Sequence, residues 1–272
     1  LGTWDRPFKG HVMTLHTAPD FIPSPTHTAQ PAASRSVLRE ARARSTGRTR
    51  AYEIAVLRQD GSVFVTEGYA PATPLFEEPF SAFAHGTLIR TTQGEIPVED
   101  LCPGDRIVQA DGLHTPLLWV GSSKFVPADI GHRTPLVRVM ADSLGLARPS
   151  GFLTFGPAAR ILHTPQRLRG AEQTRKVFTL MQDLVDGVNI IEIQPPTPVR
   201  LYHLGLARHA AISVSGLEME TFHPGPSTIA ALPLHQRDAF LSMFPHISGA
   251  KDFGPLCHPR ASERSDPIYA AQ

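Results

Sequence analysis

Apolar and polar residues alternate over short runs through the middle of the chain, and turn residues interrupt each run before it grows long. Ala51-Tyr-Glu-Ile-Ala-Val-Leu and Ser62-Val-Phe-Val-Thr are two such runs. Their β-branched and aromatic residues suit a pleated, half-buried backbone. Gln59-Asp60-Gly61 lies between them, and an Asp-Gly pair in that place predicts a β-hairpin, because glycine adopts positive φ without a steric penalty. Pro71, Pro74 and Pro79 then punctuate the approach to Phe80. From Leu88 to about Ser215 short apolar runs continue, separated by turn chemistry at Thr92–Gly94, Pro103–Asp105, Asp111–Gly112 and Asp186–Gly187. Turn signals at intervals of roughly 8–12 residues predict an all-β domain rather than alternating strands and helices.

The period changes only near the end. Ile229, Leu232, Phe240, Leu241 and Phe244 fall near helical spacing, interrupted by Pro233. Ser227 suits a helix N-cap and Pro245 a stop. Ser248–Gln272 is polar and Pro-containing and reads as a loose tail. At the other end, Pro19, Pro23, Pro25 and Pro31 precede a stretch holding Arg35, Arg39, Arg42, Arg44, Arg48 and Arg50. The expected organisation is an extended Pro- and Arg-rich arm over 1–50, a hairpin segment over 51–81 and a β domain over 82–225. A helical segment over 226–247 and a tail over 248–272 follow.

Composition narrows the function. Of the 272 residues, 26 are basic and 25 acidic, a net charge of +1 that provides no global field for nucleic acid or anionic lipid. The Arg-rich stretch lacks the interleaved aromatics on which bases stack, so a solvated linker is favoured over a nucleic-acid arm. No run reaches the ~18 apolar residues of a membrane-spanning helix. The chain opens Leu1-Gly-Thr-Trp-Asp-Arg, without a starting Met and without the basic-then-apolar layout of a leader. The cytoplasm is the default expectation, with secretion as the alternative. Cys102 and Cys257 are too few for a disulfide framework or a thiolate zinc cage. The 13 histidines are dispersed, with no H-x-x-x-H pair enclosing a carboxylate, so no metal site is expected. Glycine-rich phosphate loops and the G-x-S-x-G elbow are absent. No cofactor is expected.

One block carries chemistry. The run Ala82-Phe-Ala-His-Gly-Thr-Leu-Ile-Arg, continued by Pro97-Val-Glu-Asp-Leu-Cys-Pro-Gly-Asp105, resembles the opening of a Hint domain. That is the fold shared by hedgehog autoprocessing domains and inteins, and its bacterial version opens Cys-Phe-x-x-Gly-Thr. Leu118-Trp-Val-Gly121 is similar to a Trp-Ile-Gly strand of the family. Arg200–Gly225 is similar to the closing strands of the bacterial hedgehog-type group, and Leu241-Ser-Met-Phe-Pro245 to that group's end. The resemblance spans about Ala82 to Pro245. It implies an all-β Hint fold of short strands, here with an N-terminal β-hairpin extension and a short C-terminal helix.

In that family the first residue, Cys or Ser, attacks the preceding carbonyl, and the resulting ester or thioester is then resolved. Such chemistry needs a nucleophile, a base and donors for the oxyanion. Here the nucleophile position is Ala82, whose methyl group cannot attack. A second block, Thr/Ser-x-x-His, maps to Thr164 and Arg167, so its histidine is replaced by a guanidinium that cannot shuttle protons at neutral pH. His209 matches a histidine of the closing strands, and its blander role is a buried hydrogen-bonding histidine. Inteins end in His-Asn; Gly216–Thr221 has neither residue, and Asn189, the one asparagine, falls too early. The expectation is a degenerate Hint domain without self-cleavage, left with a binding or structural role and an unidentified protein partner. The runner-up is a self-cleaving domain in which cysteine was replaced at Ala82 by engineering, or in which Ser81 took over as nucleophile. Nucleic-acid binding through the Arg-rich arm ranks third.

Overall fold

A computed structural model of the chain describes residues 48–127, 133–165 and 176–261. It begins with strands β1 (Thr49–Leu57) and β2 (Val63–Pro71), and a helical turn, α1 (Pro74–Glu77). Next come β3 (Phe83–Ala84), β4 (Leu88–Thr91), β5 (Gly94–Pro97), β6 (Arg106–Val108) and the long β7 (His114–Phe125). β8 (Leu136–Val139), β9 (Leu153–Phe155), β10 (Arg160–His163), β11 (Val177–Leu180) and β12 (Ile190–Ile193) follow. β13 (Val199–Leu206), β14 (Ala211–Val214), β15 (Leu217–Glu220) and helix α2 (Leu234–Leu241) complete the order. Pairing among the described strands is antiparallel, and the domain is all-β with one short C-terminal helix.

The layout turns on β7. Its first residues, His114–Pro116, pair with β6, and one edge of Leu117–Phe125 pairs with β13. Over Trp119–Ser123 the other edge accepts β1. The hairpin expected around Asp60-Gly61 is present: β1 and β2 pair from Thr49↔Pro71 to Leu57↔Val63, with Gly61 at φ 80°. Strand β1 thus lies between β2 and β7, and both its faces are covered: Ile54 and Val56 join one apolar cluster and Ala55 another, so all three are buried in sequence instead of alternating.

Of the four apolar clusters among the described residues, two position the site. The larger holds Phe83, Ile89, Ile107, Val120, Phe155, Leu204 and Ile212, inside the strands that follow residue 82. The second is built from parts far apart in sequence: Ile54 and Val56 of β1, Phe76 and Phe80, Trp119 of β7, and Phe222, Phe240 and Phe244. Trp119 is fully buried, and its indole N–H donates to the Met243 carbonyl at 2.9 Å. The hairpin and the C-terminal helix therefore share one core around this tryptophan.

Three expectations need correction. Helix α2 begins after Pro233 and not at Ser227; a proline lacks the N–H that a helix interior needs but is tolerated at its entry, so Pro233 opens the helix. Ser227–Leu232 forms turns instead, with Ala231 N–H donating to Ser227 O at 3.1 Å. The tail is not loose over residues 248–261: Phe253 packs on Phe244 at 5.2 Å between centroids, and Arg260 pairs with Glu220 at 2.9 Å. Single anchors in a polar segment have no period to betray them. Strand β1 starts at Thr49, two residues earlier than Ala51, and Arg50 is drawn into an ion pair with Glu77. Arg48 is exposed, and residues 1–47 of the arm lie outside the described residues.

Candidate functional site

The junction between Ser81 and Ala82 is held by backbone on both sides. Ala82 N–H donates to Tyr202 O of β13 at 2.9 Å, and Gly156 N–H donates to Ala82 O at 2.8 Å. Ala158 N–H donates to Ser81 O at 2.9 Å. A carbonyl attacked by a neighbouring side chain gathers negative charge on its oxygen, and a preorganised N–H is the group that stabilises it. Gly156 makes this approach possible. A Cβ there would stand 2.2 Å from the Ser81 oxygen and 2.8 Å from its carbon. The Gly156-Pro-Ala158 segment directly after β9 thus cradles one peptide bond.

The side chains at the cradled junction are a hydroxyl at Ser81 and a methyl at Ala82. Ala82 has 0% exposure and contributes a methyl group to the core. Ser81 is buried too, and its hydroxyl donates to the Glu77 carbonyl at 2.9 Å. Thr164 directly follows β10 and is half-buried. Arg167 lies outside the described residues. A cleft of about 620 Å³ opens beside the junction, with Ser81, Ala158, Glu77, Glu78, Arg133 and Arg160 in its wall. Its charges are matched inside the wall: Arg133 Nε lies 3.0 Å from Glu77 and Arg160 2.8 Å from Glu78.

His209 does not line that cleft. It stands behind it in a buried polar network that sequence reasoning missed. His209 Nδ1 accepts the Cys257 N–H at 3.0 Å, so the ring proton resides on Nε2, which donates to Glu220 Oε1 at 3.0 Å. Arg260 Nε donates to the same oxygen at 2.9 Å, and Arg160 Nη1 approaches Oε2 at 3.4 Å. Burial alone would raise the Glu220 pKa, but the hydrogen bond from His209 and the two guanidinium groups outweigh it and pull the carboxyl to about 2. Burial disfavours the Arg160 cation, yet Glu78 and Glu220 outweigh that and raise its pKa. Through Arg160 the network reaches Glu78, three residues before Ser81. Both nitrogens of His209 are therefore engaged by the fold.

Two further histidines flank this region. His203 on β13 packs edge-on against Phe83 at 5.7 Å and Phe222 at 5.4 Å, and burial lowers its pKa to about 3. His223 accepts the Gly225 N–H through Nδ1 at 2.9 Å and donates to Gly254 O at 3.0 Å; burial lowers its pKa as well. The closing-strand run quoted above contains His203, Glu220 and His223, but only the β14–β15 hairpin shows that Glu220 meets His209. Arg260, from the tail, left no sequence signal. Among the described residues no group of three or more His, Cys, Asp or Glu is placed to hold a metal. No described helix is long and apolar enough to cross a membrane.

The described strands form an antiparallel β domain in which backbone donors hold the Ser81–Ala82 peptide bond. The Hint-domain family profile matches residues 81–226, more than half of the chain, and the match begins at the cradled junction. The chain belongs to the Hint-domain family. A comparison with curated proteins gives no match.

Proposed function

We propose that this Hint domain retains its fold and has lost self-cleavage, so that it acts intact in a binding or structural role. The observation that carries this reading is Ala82: the residue beside the cradled carbonyl offers a buried methyl group where an acyl shift requires a thiol or hydroxyl. The reading is supported by the integration of the preceding residues. Phe76, Phe80, Ile54 and Val56 sit in the core around Trp119. A segment destined to leave would not ordinarily supply the sheet strand next to β7. Membership of the bacterial hedgehog-type group, which the run Arg200–Gly225 supports, and a cytoplasmic location belong to the same proposal.

Mass spectrometry of the purified chain, with and without hydroxylamine or thiol, tests it. One intact species of 29.6 kDa is expected. Fragments meeting at Ser81 or Ala82 would overturn it.

The intact cradle favours a second reading, in which only the nucleophile is missing. Under it, Ala82→Cys cleaves before residue 82, with the Ala158 N–H holding the oxyanion. Failure of Ala82→Cys to cleave, with the fold preserved by circular dichroism, would eliminate that reading. Ser81 is the weaker candidate, because its hydroxyl hydrogen-bonds to the Glu77 carbonyl and no described base contacts it.

A further inference from the structure

A second cleft, of about 610 Å³, lies away from the Ser81 junction, beyond the end of β3. Its volume falls within the range that holds small organic ligands. Its lining includes the apolar Ile193, Pro195, Pro198 and Val199 around the β12–β13 connection. It also includes Lys124, Arg138 and Arg200. Three cations in one cleft of a protein with net charge +1 are a local concentration, not a reflection of overall composition.

The register makes the concentration costly to the fold by itself. Arg200 of β13 stands directly opposite Lys124 of β7. Like charges placed directly across an antiparallel pair destabilise it. Compensation within the protein is thin. Arg200 Nη1 reaches Glu53 at 3.4 Å and the Ser122 hydroxyl at 3.4 Å. Lys124 and Arg138 have no carboxylate partner among the described residues. Arg138 lays its guanidinium over the Phe152 ring at 5.3 Å, and its buried Nε has no hydrogen-bond acceptor. Glu99, the one carboxylate among the described lining residues, is already occupied by the Gly86 N–H at 2.8 Å and by His85 at 3.4 Å. Tyr202 also lines the cleft, and burial pushes its phenol up to about 12, so it remains an O–H donor.

We propose that this cleft binds an amphipathic organic anion, its carboxylate held by Arg138, Lys124 and Arg200 and its hydrocarbon body lying along Ile193, Pro195 and Val199. Charge alone would suit any anion; the apolar residues that line the same cleft select one with a hydrocarbon body. Partly desolvated guanidinium–carboxylate hydrogen bonds are the strong kind, and the hydrocarbon adds affinity through buried area. The site is independent of residue 82 and of whether the chain cleaves itself.

Isothermal titration of the full chain with octanoate, octanamide and acetate tests both halves of the proposal. Octanoate is expected to bind saturably at one site, with an affinity that falls as salt is raised. Octanamide lacks the charge and acetate the hydrocarbon, and each should bind at least about tenfold more weakly. Arg138→Gln and, separately, Lys124→Gln should each weaken octanoate about tenfold. Lys124 is an exposed side chain, so its variant keeps the test valid if Arg138→Gln folds poorly. Arg90→Gln, an exposed arginine outside the cleft, should leave binding unchanged. Absence of saturable octanoate binding up to about 10 mM would overturn the proposal. So would equal binding of octanamide, equal binding of acetate, or binding indifferent to both cleft variants.

Discussion

Replacing Glu220 by glutamine should expose what the buried network contributes. The carboxylate is about 1% exposed, and its two oxygens accept from three donors: His209 Nε2, Arg260 Nε and Arg160 Nη1. Glutamine retains one acceptor oxygen and turns an NH₂ toward donors that cannot accept from it. Arg160 keeps Glu78 at 2.8 Å, whereas Arg260 has no other carboxylate among the described residues. Breaking a buried pair from one side costs about 3–5 kcal/mol. Arg260 is 18% exposed and recovers some hydration, so the loss should lie near the lower end, about 3 kcal/mol. Proton linkage gives a similar size: a carboxyl held at about 2 instead of an ordinary 4.5 represents about 3 kcal/mol at neutral pH. In a folded unit of this size that corresponds to a fall in Tm of roughly 6–12 °C. Because the folded pKa is depressed, the contribution is present above 4.5 and disappears as pH falls toward 2, so the gap between Glu220→Gln and the parent should narrow over that window. Urea titrations at pH 7 and at acid pH measure both features. Glu218→Gln is the control, since its partner Lys176 is 46% exposed and the pair should be worth less than about 1 kcal/mol. A Glu220→Gln protein within about 1 kcal/mol of the parent at pH 7 would refute the reasoning.

Acid should weaken the fold before Glu220 titrates. Burial lowers His203 from 6.5 to about 3 and His246 to about 4, so the unfolded chain binds protons that the folded chain refuses. Stability is then full above about 6.5 and declines as pH falls toward 3, and His203→Phe should flatten the decline of Tm between pH 6.5 and 4; an unaltered slope argues against His203 as its source. Gly156→Ala forces a methyl into the Ser81 carbonyl, a backbone contact that cannot swing aside, and should cost about 1–3 kcal/mol or more in urea titration. A cost under about 0.5 kcal/mol would mean that the cradle is loose. Residues 1–81 and 82–272 expressed as separate chains should associate, since Phe76, Phe80, Ile54 and Val56 bury about 1.5–3 kcal/mol each. Two pieces that elute separately in native size exclusion would show that the hairpin is dispensable.

The all-β class was legible because strand alternation and turn residues act locally. Asp60-Gly61 made its hairpin where it was expected. Proline at 233 was legible as a break but not as the start of the helix, because that depends on whether the segment before it packs as turns. At the site, Ser81 and Ala82 could be found from the order of motif residues. The partners of their carbonyls could not, since Gly156 and Ala158 lie some seventy residues on and touch the junction only when β3 pairs with β9. Glu220 was visible as a residue and invisible as a partner.

By itself the sequence determined which chemistry is available. A methyl at 82 has no lone pair, and a chain with asparagine only at 189 has none to cyclise at its closing strands. These are properties of atoms and need no fold. The tertiary structure decided where charges and donors meet: Arg260 against Glu220, Ala158 N–H against the Ser81 carbonyl, Lys124 facing Arg200. Each is a contact between segments distant along the chain. Such contacts follow from sheet register and burial, which emerge only when the whole core closes.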